Sequence, residues 1–415
     1  MTILELMIWI LRGLMLLVGL CYAYQLVYLL APFFKKDKPH AAEKPLRYAV
    51  LISARNEEAV LPYLLDSIRA QDYPAERVRV FVCADNCTDR TAEVACAHGA
   101  IVFERSDSAH IGKGYGLQFL LDRIDPESYD ACLVFDADNL LEPDYIRSIN
   151  RVFSDGYEAV CGYRNSKNFF ENWISSGYAL WYVHDCVHLN HSRMLLGVSC
   201  AVNGTGFGFT RRLAARMGGW NFFTLTEDIE FDNWCALNGV KIGYCPEAML
   251  YDEQPVGFGA SWRQRIRWMQ GSIQLSLKYG GALLKGMFRR KGSRWSCFET
   301  LTLTIFGYGI SIFLGLVMTG LELAGNPAMA LPRLLGSALL GYLGLFIVGA
   351  LTMLGEWKRI RGSAAKKIAC MLTFPVFMFT YIPVALCAPF RKFEWKPTEH
   401  RVGVSLDGMD SDKAG

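Results

Sequence analysis

The chain is short of the features that mark several common classes. Its formal net charge is only +3 over 415 residues. Nucleic-acid binding needs a concentrated basic face, so no nucleic-acid partner is expected. The 13 cysteines are scattered, several within apolar runs. Cys83, Cys87 and Cys96 lack the paired knuckles of a zinc ribbon, and the cysteines read as reduced core residues of a cytosol-facing protein. No internal repeat is present. Gly112-Lys113-Gly114 is not the phosphate loop of nucleotide hydrolases. His184-Asp-Cys-Val-His188 has Asp where a zinc protease has Glu, and no third ligand is evident, so no zinc site is read there.

What the chain has in abundance is apolar surface. It is 52% hydrophobic, enough for one soluble domain plus membrane segments. The run from Leu6 to Phe34 exceeds the roughly 20 residues a bilayer requires and is too long for a cleaved signal. Lys35, Lys36 and Lys38 follow it and mark the cytoplasmic side. Leu301 to Leu321 and Leu334 to Leu354 are each long enough to span, with Gly325-Asn326-Pro327 as the turn between them. The basic loop Lys358, Arg359, Arg361, Lys366, Lys367 again points to the cytoplasm. The expectation is a multi-pass protein of the cell membrane with a cytoplasmic domain at 45–275, interfacial helices at 276–300 and a membrane region at 301–390. Ile368 to Phe390 is apolar but holds Pro375, Pro383 and Pro389, so it either spans or turns back.

Within the soluble part, Tyr48–Ser53, Val78–Cys83, Ala100–Phe103 and Ala131–Phe135 read as strands, alternating with helical segments. That alternation predicts a mostly parallel sheet covered on both faces, with ligands beyond the strands' carboxyl ends. Asn56, Asp85 and Asp136 fall there. Asp136-Ala-Asp138 can hold a hard divalent cation, although paired turn aspartates are common. Lys113 at a helix start suits phosphate. Thr226 is expected to cap a helix opened by Glu227 and Asp228, and Asp228 is placed to act as a base towards an acceptor hydroxyl. Gln264-x-x-Arg267-Trp268 lies in a segment expected to be amphipathic, basic outside and aromatic inside. Its guanidinium can stabilise a leaving diphosphate and its indole can hold a sugar ring. The aromatic stretch Trp173 to Tyr182 is read as a packing or membrane-apposed helix.

With these residues in place, the chain resembles the membrane-integrated family 2 glycosyltransferases, such as the synthases of cellulose, hyaluronan, chitin and poly-N-acetylglucosamine. The matches are Ala54-Arg-Asn-Glu-Glu58, Asp85 with Thr88-Asp89, Gly112-Lys-Gly114, Phe135-Asp-Ala-Asp138, Thr226-Glu-Asp228 and Gln264-Arg-Ile-Arg-Trp268. The resemblance implies an α/β GT-A-type domain set between transmembrane helices, a UDP-sugar donor, Mg2+ or Mn2+, and inversion at the anomeric carbon. It implies that Glu57, Asp85, Lys113, Asp136, Gln264 and Arg267 bind the donor, that Asp138 binds the metal, that Asp228 is the base and that Glu227 and Trp268 meet the acceptor. Asn203-Gly-Thr-Gly206 resembles the acceptor-side loop. Trp395, Thr398 and His400 resemble a gating segment, within a 391–415 tail, that covers the bound donor. One departure is Ala84 before Asp85, where the family has a second Asp. Two activities follow from the resemblance, and the Gln264-x-x-Arg267-Trp268 motif with apolar helices on both sides of the domain favours the first over its alternative. One is processive synthesis and extrusion of a β-linked polysaccharide from UDP-glucose or UDP-N-acetylglucosamine, with the growing chain as acceptor and accessory secretion proteins as partners. The other is single transfer to a lipid carrier.

Overall fold

The computed structural model describes residues 3–37, 39–289, 293–303, 309–391 and 403–411. Eight strands form one sheet: β1 (Tyr48–Ala54), β2 (Val78–Asp85), β3 (Ile101–Arg105), β4 (Ala131–Phe135), β5 (Leu140–Leu141), β6 (Ala159–Ser166), β7 (Phe207–Thr210) and β8 (Ile242–Asp252). Their spatial order is β3-β2-β1-β4-β7-β6-β8-β5. β1, β2, β3 and β4 are mutually parallel, as the alternation with helices predicts. β7 pairs antiparallel to both β4 and β6, and β5 pairs antiparallel to β8, so these two strands alone run against the rest. The result is a GT-A-like, mostly parallel sheet.

The strands are apolar on both sides because both sides are covered. Tyr48, Val50 and Ile52 of β1 face the helices Leu61–Arg69 and Tyr145–Ser154, whereas Ala49 and Leu51 face Lys113–Leu121 and Trp173–His184. The second layer does not end at the soluble domain. Met353 of the helix Pro327–Gly355 and Phe374 of the helix Ala364–Phe379 are fully buried in it. The Trp173–Tyr182 stretch lies in the helix Trp173–His184, whose buried face packs against those two segments.

Among the described residues, three helices are long and apolar enough to cross a membrane: Ile3–Phe34, Pro327–Gly355 and Ala364–Phe390. Of the expected span Leu301 to Leu321, residues 304–308 lie outside the described residues. Leu301 and Thr302 are buried, with Leu301 against Ala236, Leu283 and Cys297, and the apolar helix beyond them, Ser311–Gly325, has 15 residues. The segment Ala364–Phe390 is broken at Thr380 and lies along the catalytic domain. Near its start, the Lys367 ammonium donates to the Trp357 carbonyl of the preceding loop (2.6 Å), and Arg359 of that loop donates to the Pro246 carbonyl of the domain (2.6 Å). At its end, Gln270 Nε2 donates to the carbonyls of Ala388 (3.1 Å) and Arg391 (2.6 Å). Val404, Leu406 and Met409 then pack on the domain core, and a β-carbon at Gly403 would lie 2.7 Å from the Tyr63 ring.

Candidate functional site

The carboxyl ends of β1, β2 and β4, the start of the helix Glu227–Asn238 and the helix Phe258–Gly286 enclose one cavity of about 460 Å³. Glu57, Asp85, Lys113, Asp136, Asp138, Glu227, Asp228, Gln264, Arg267 and Trp268 all line it. Trp395, Thr398 and His400 lie outside the described residues.

Asp136 leaves the end of β4 with its N–H donating to Asn139 Oδ1 (3.0 Å) and Thr205 Oγ1 (2.9 Å). Its carboxylate pairs with Lys113 Nζ, which also donates to the Gly204 carbonyl (2.7 Å). Asp138 Oδ2 accepts the Glu253 N–H (2.9 Å). No group of three or more His, Cys, Asp or Glu able to hold a metal occurs among the described residues. The two aspartates suit Mg2+ or Mn2+ nonetheless, because such ions use one or two carboxylates and complete their shell with phosphate oxygens and water.

Gly114 is needed for packing: a β-carbon there would collide with the Phe222 carbonyl oxygen. Asp85 Oδ1 accepts from Arg105 Nη1 (2.6 Å) and Asn86 Nδ2 (2.9 Å). Burial pushes the Asp85 carboxyl up, against the pull of Arg105.

Thr226 occupies the position before the helix Glu227–Asn238, but it does not cap it. Its side chain makes no cap bond, and the buried Oγ1 has no partner among the described residues. Glu230 ties down the approach instead. Its Oε2 accepts the N–H groups of Phe223 (3.1 Å) and Thr224 (3.0 Å), and its Oε1 accepts from Lys278 and Tyr279. This leaves Glu227 and Asp228 at the helix's positive end, facing the cavity. Burial, and then the charge of Asp228, push the Glu227 carboxyl up to about 7. Burial raises Asp228 as well, with Lys113 and Arg267 opposing. A carboxylate raised in this way is a stronger base near neutral pH.

The helix Phe258–Gly286 is not simply basic outside. Arg265 is buried, donating to Thr380 Oγ1 (2.5 Å) beside the rings of Phe377 and Tyr381. It joins this helix to the break in the segment Ala364–Phe390. Trp268 meets Tyr178 edge-on at 5.8 Å, and Tyr381 itself lines the cavity. Gln264 Oε1 is buried without a partner among the described residues.

The cavity also contains groups that the motifs did not flag. Arg164 bonds Asp252 Oδ2 through Nε (2.6 Å) and the Asn203 carbonyl through Nη1 (2.6 Å), and stacks 3.7 Å over Tyr182. Burial raises the Asp252 carboxyl, the Arg164 guanidinium opposes the shift, and the charge of Asp138 adds to it. An Asp closing a buried strand, as Asp136 does, was the available signal. His184 and His188 serve packing: His184 Nδ1 is 3.3 Å from Thr352 Oγ1, and His188 Nδ1 donates to the Leu29 carbonyl (3.1 Å).

Comparison with known proteins agrees with this geometry. The family described as "Glycosyltransferase like family 2" matches residues 45–271. Beta-monoglucosyldiacylglycerol synthase of Synechocystis is 28% identical over 236 residues, covering 55% of this chain and 48% of that protein. Poly-beta-1,6-N-acetyl-D-glucosamine synthase of Staphylococcus aureus is 26% identical over 239 residues, covering 55% of each chain. The chain thus spans about half the length of the curated relatives it matches. Among solved structures, a mannosyltransferase from Pyrobaculum calidifontis, in complex with GDP-Man and Mn2+, is similar with a TM-score of 0.59 and 16% identity. That match covers 92% of this chain and 99% of the mannosyltransferase, and supports the fold alone.

Proposed function

We infer the reaction from one premise: the chain belongs to the glycosyltransferase-like family 2. The reaction proposed is inverting transfer of a hexosyl group from a UDP-sugar to a hydroxyl presented at the membrane surface. The observation that carries it is the placing of Asp228 across Gly204 from the Lys113–Asp136 pair, within one cavity.

Asp228 accepts the proton of the acceptor hydroxyl as that oxygen attacks the anomeric carbon. The bond from that carbon to the diphosphate breaks on the opposite face, and the nucleoside diphosphate leaves with the bonding electrons. Lys113 and Arg267 meet the charge that builds on it. Asp136 and Asp138 would hold Mg2+ or Mn2+, whose charge offsets that of the leaving group. Glu57, Asp85 and Gln264 hold the donor, and Glu227 and Trp268 meet the acceptor.

Tyr381, from the broken apolar segment, lines the same cavity as Asp228, which favours an acceptor embedded in the membrane. Single transfer to a lipid is therefore the first reading, and the glucosyldiacylglycerol synthase relative supports it. Processive polysaccharide synthesis with extrusion is the second, supported by Gln264-x-x-Arg267-Trp268, by the cavity position of Trp268 and by the poly-N-acetylglucosamine synthase relative. We assign the catalytic domain to the cytoplasm on the basic residues Lys35, Lys36, Lys358, Arg359 and Arg361. Because Ala364–Phe390 packs on the catalytic domain through Cys370 and Phe374 and is held at its end by Gln270, we read it as re-entrant.

Membranes containing the protein, incubated with labelled UDP-glucose and UDP-N-acetylglucosamine, test the function. A chloroform-extractable product bearing one sugar supports the first reading. A water-soluble polymer supports the second, and no transfer from either donor contradicts both.

A further inference from the structure

Residues 203 and 204 occupy the interval between the two halves of the proposed reaction. On one side the Gly204 carbonyl accepts from Lys113 Nζ at 2.7 Å, the cation paired with Asp136. On the other, a β-carbon at Gly204 would lie 3.8 Å from Asp228 Oδ2. Gly204 itself adopts φ +79°, which glycine takes without strain. A sugar in transit is bonded to the diphosphate on one face of its anomeric carbon and attacked on the other. It must therefore lie across this interval. Two side chains that line the cavity border it: Arg164, whose Nη1 would also lie 3.8 Å from that β-carbon but is tied to the Asn203 carbonyl, and Asn203.

The sense of the Asn203 amide is set from behind. Its Nδ2 donates to Asp185 Oδ2. The same Asp185 oxygen accepts from Asn190 Nδ2 at 3.4 Å. Asn190 cannot turn over. Its Oδ1 accepts from the Ala201 N–H (2.9 Å) and from Arg193 Nη1 (3.0 Å), while its Nδ2 also donates to the Ala201 carbonyl (2.9 Å). Arg193 is in turn held in a buried pair with Glu299 at 2.8 Å. Asp185 thus serves as acceptor to two amide NH2 groups. It sits with Asn190 on a π-helical turn, Asp185–His191, a rare geometry often found at functional sites. With Nδ2 engaged, Asn203 Oδ1 remains, and no described residue donates to it. An amide oxygen beside a sugar site, without a protein donor, is available to a ligand hydroxyl.

We propose that Asn203 is a specificity-determining residue whose Oδ1 accepts a hydrogen bond from a hydroxyl of the transferred sugar, and that Asp185 is the positioning residue that keeps this oxygen turned to the cavity. The ligand class is a sugar nucleotide with a hydrogen-bond donor at the ring position facing Asn203. The inference rests on the donor reading given above.

The test is calorimetric binding of UDP, UDP-glucose and its 3-, 4- and 6-deoxyfluoro analogues to the full chain in lipid nanodiscs with Mn2+. Fluorine replaces the hydroxyl but cannot donate. One analogue should bind the wild type about tenfold to a hundredfold more weakly than UDP-glucose. In Asn203→Ala that gap should close to within about twofold, while UDP affinity and the other gaps stay as they were. Asp185→Asn, which lets the Asn203 amide turn over, should narrow the same gap. The inference is overturned if the gap persists in both variants, or if UDP and every analogue weaken together. It is also overturned, alone, if the wild type binds UDP but gains no affinity from the glucosyl group. Wild-type protein that binds neither UDP nor UDP-glucose contradicts the donor reading itself.

Discussion

Gly271 gives the sharpest test of how the acceptor side is assembled. The helix Phe258–Gly286 carries Gln264, Arg267 and Trp268, and it rests at Gly271 on Thr226, the residue before Glu227 and Asp228. A β-carbon at 271 would lie 2.5 Å from Thr226 Oγ1 and 2.7 Å from its Cγ2. Ordinary contact is about 3.5–4 Å, so Gly271→Ala must move the helix or the Thr226 turn by about 1 Å. Overpacking of this kind costs about 1–3 kcal/mol of stability. A 1 Å displacement of positioning groups costs about a hundredfold in turnover. UDP affinity should fall less than turnover, since Asp85 and Lys113 stand on other elements, whereas Gln264 and Arg267 move with the helix. Adding Thr226→Ala removes both atoms that the new methyl would strike. It gives up no hydrogen bond to a described residue, because Thr226 Oγ1 makes none with them. The double variant should therefore recover most of the lost turnover, a strongly non-additive cycle. The assay is kcat and KM for sugar transfer, with UDP binding measured alongside. Turnover within about threefold of wild type in Gly271→Ala would refute the claim that this contact sets the catalytic geometry.

Transfer should rise with pH on its acid limb, because Asp228 must be ionised and burial holds it above the ordinary carboxylate range. Glu227, pushed up to about 7, should add a step there that Glu227→Gln removes, and a kcat/KM profile without that step contradicts the pairing. Both carboxyls bind protons more tightly in the folded state, so their stabilising contribution is present below their ordinary pKa and is lost as pH rises through the folded values. Thermal melting at several pH values reads this. Chelation should abolish transfer and added Mg2+ or Mn2+ should restore it, whereas unchanged turnover in excess chelator removes Asp136 and Asp138 from metal binding. A cysteine at Ser405, in a background lacking other exposed cysteines, should be shielded from an impermeant thiol reagent in intact cells and react once the membrane is opened. Labelling in intact cells would place the tail on the far side and contradict a re-entrant Ala364–Phe390.

The parallel half of the sheet was legible because each strand is a short apolar run closed by a polar residue, and Asp85 and Asp136 fall at those ends. The cavity-lining motif residues were legible for the same reason: they sit where strand or helix ends must leave side chains free. The Arg164–Asp252 pair was not, because its partners are 88 residues apart and neither stands in a motif. Thr226 read as a cap from residue type alone, yet its side chain makes no cap bond, and Glu230 instead ties down Phe223 and Thr224 before the helix. Arg265 read as a surface cation because its helix is periodic, but a second helix covers that face and Thr380 receives the guanidinium. Leu301 read as membrane-facing by hydropathy, which cannot tell lipid from a protein core.

The central claim is that Asp228 deprotonates the acceptor, and Asp228→Asn tests it most directly. The substitution keeps the shape at the head of the helix Glu227–Asn238 and removes the base. With labelled UDP-sugar, transfer should fall by about a hundredfold or more while UDP still binds as it does to the wild type. Near-normal product formation by Asp228→Asn would contradict the account.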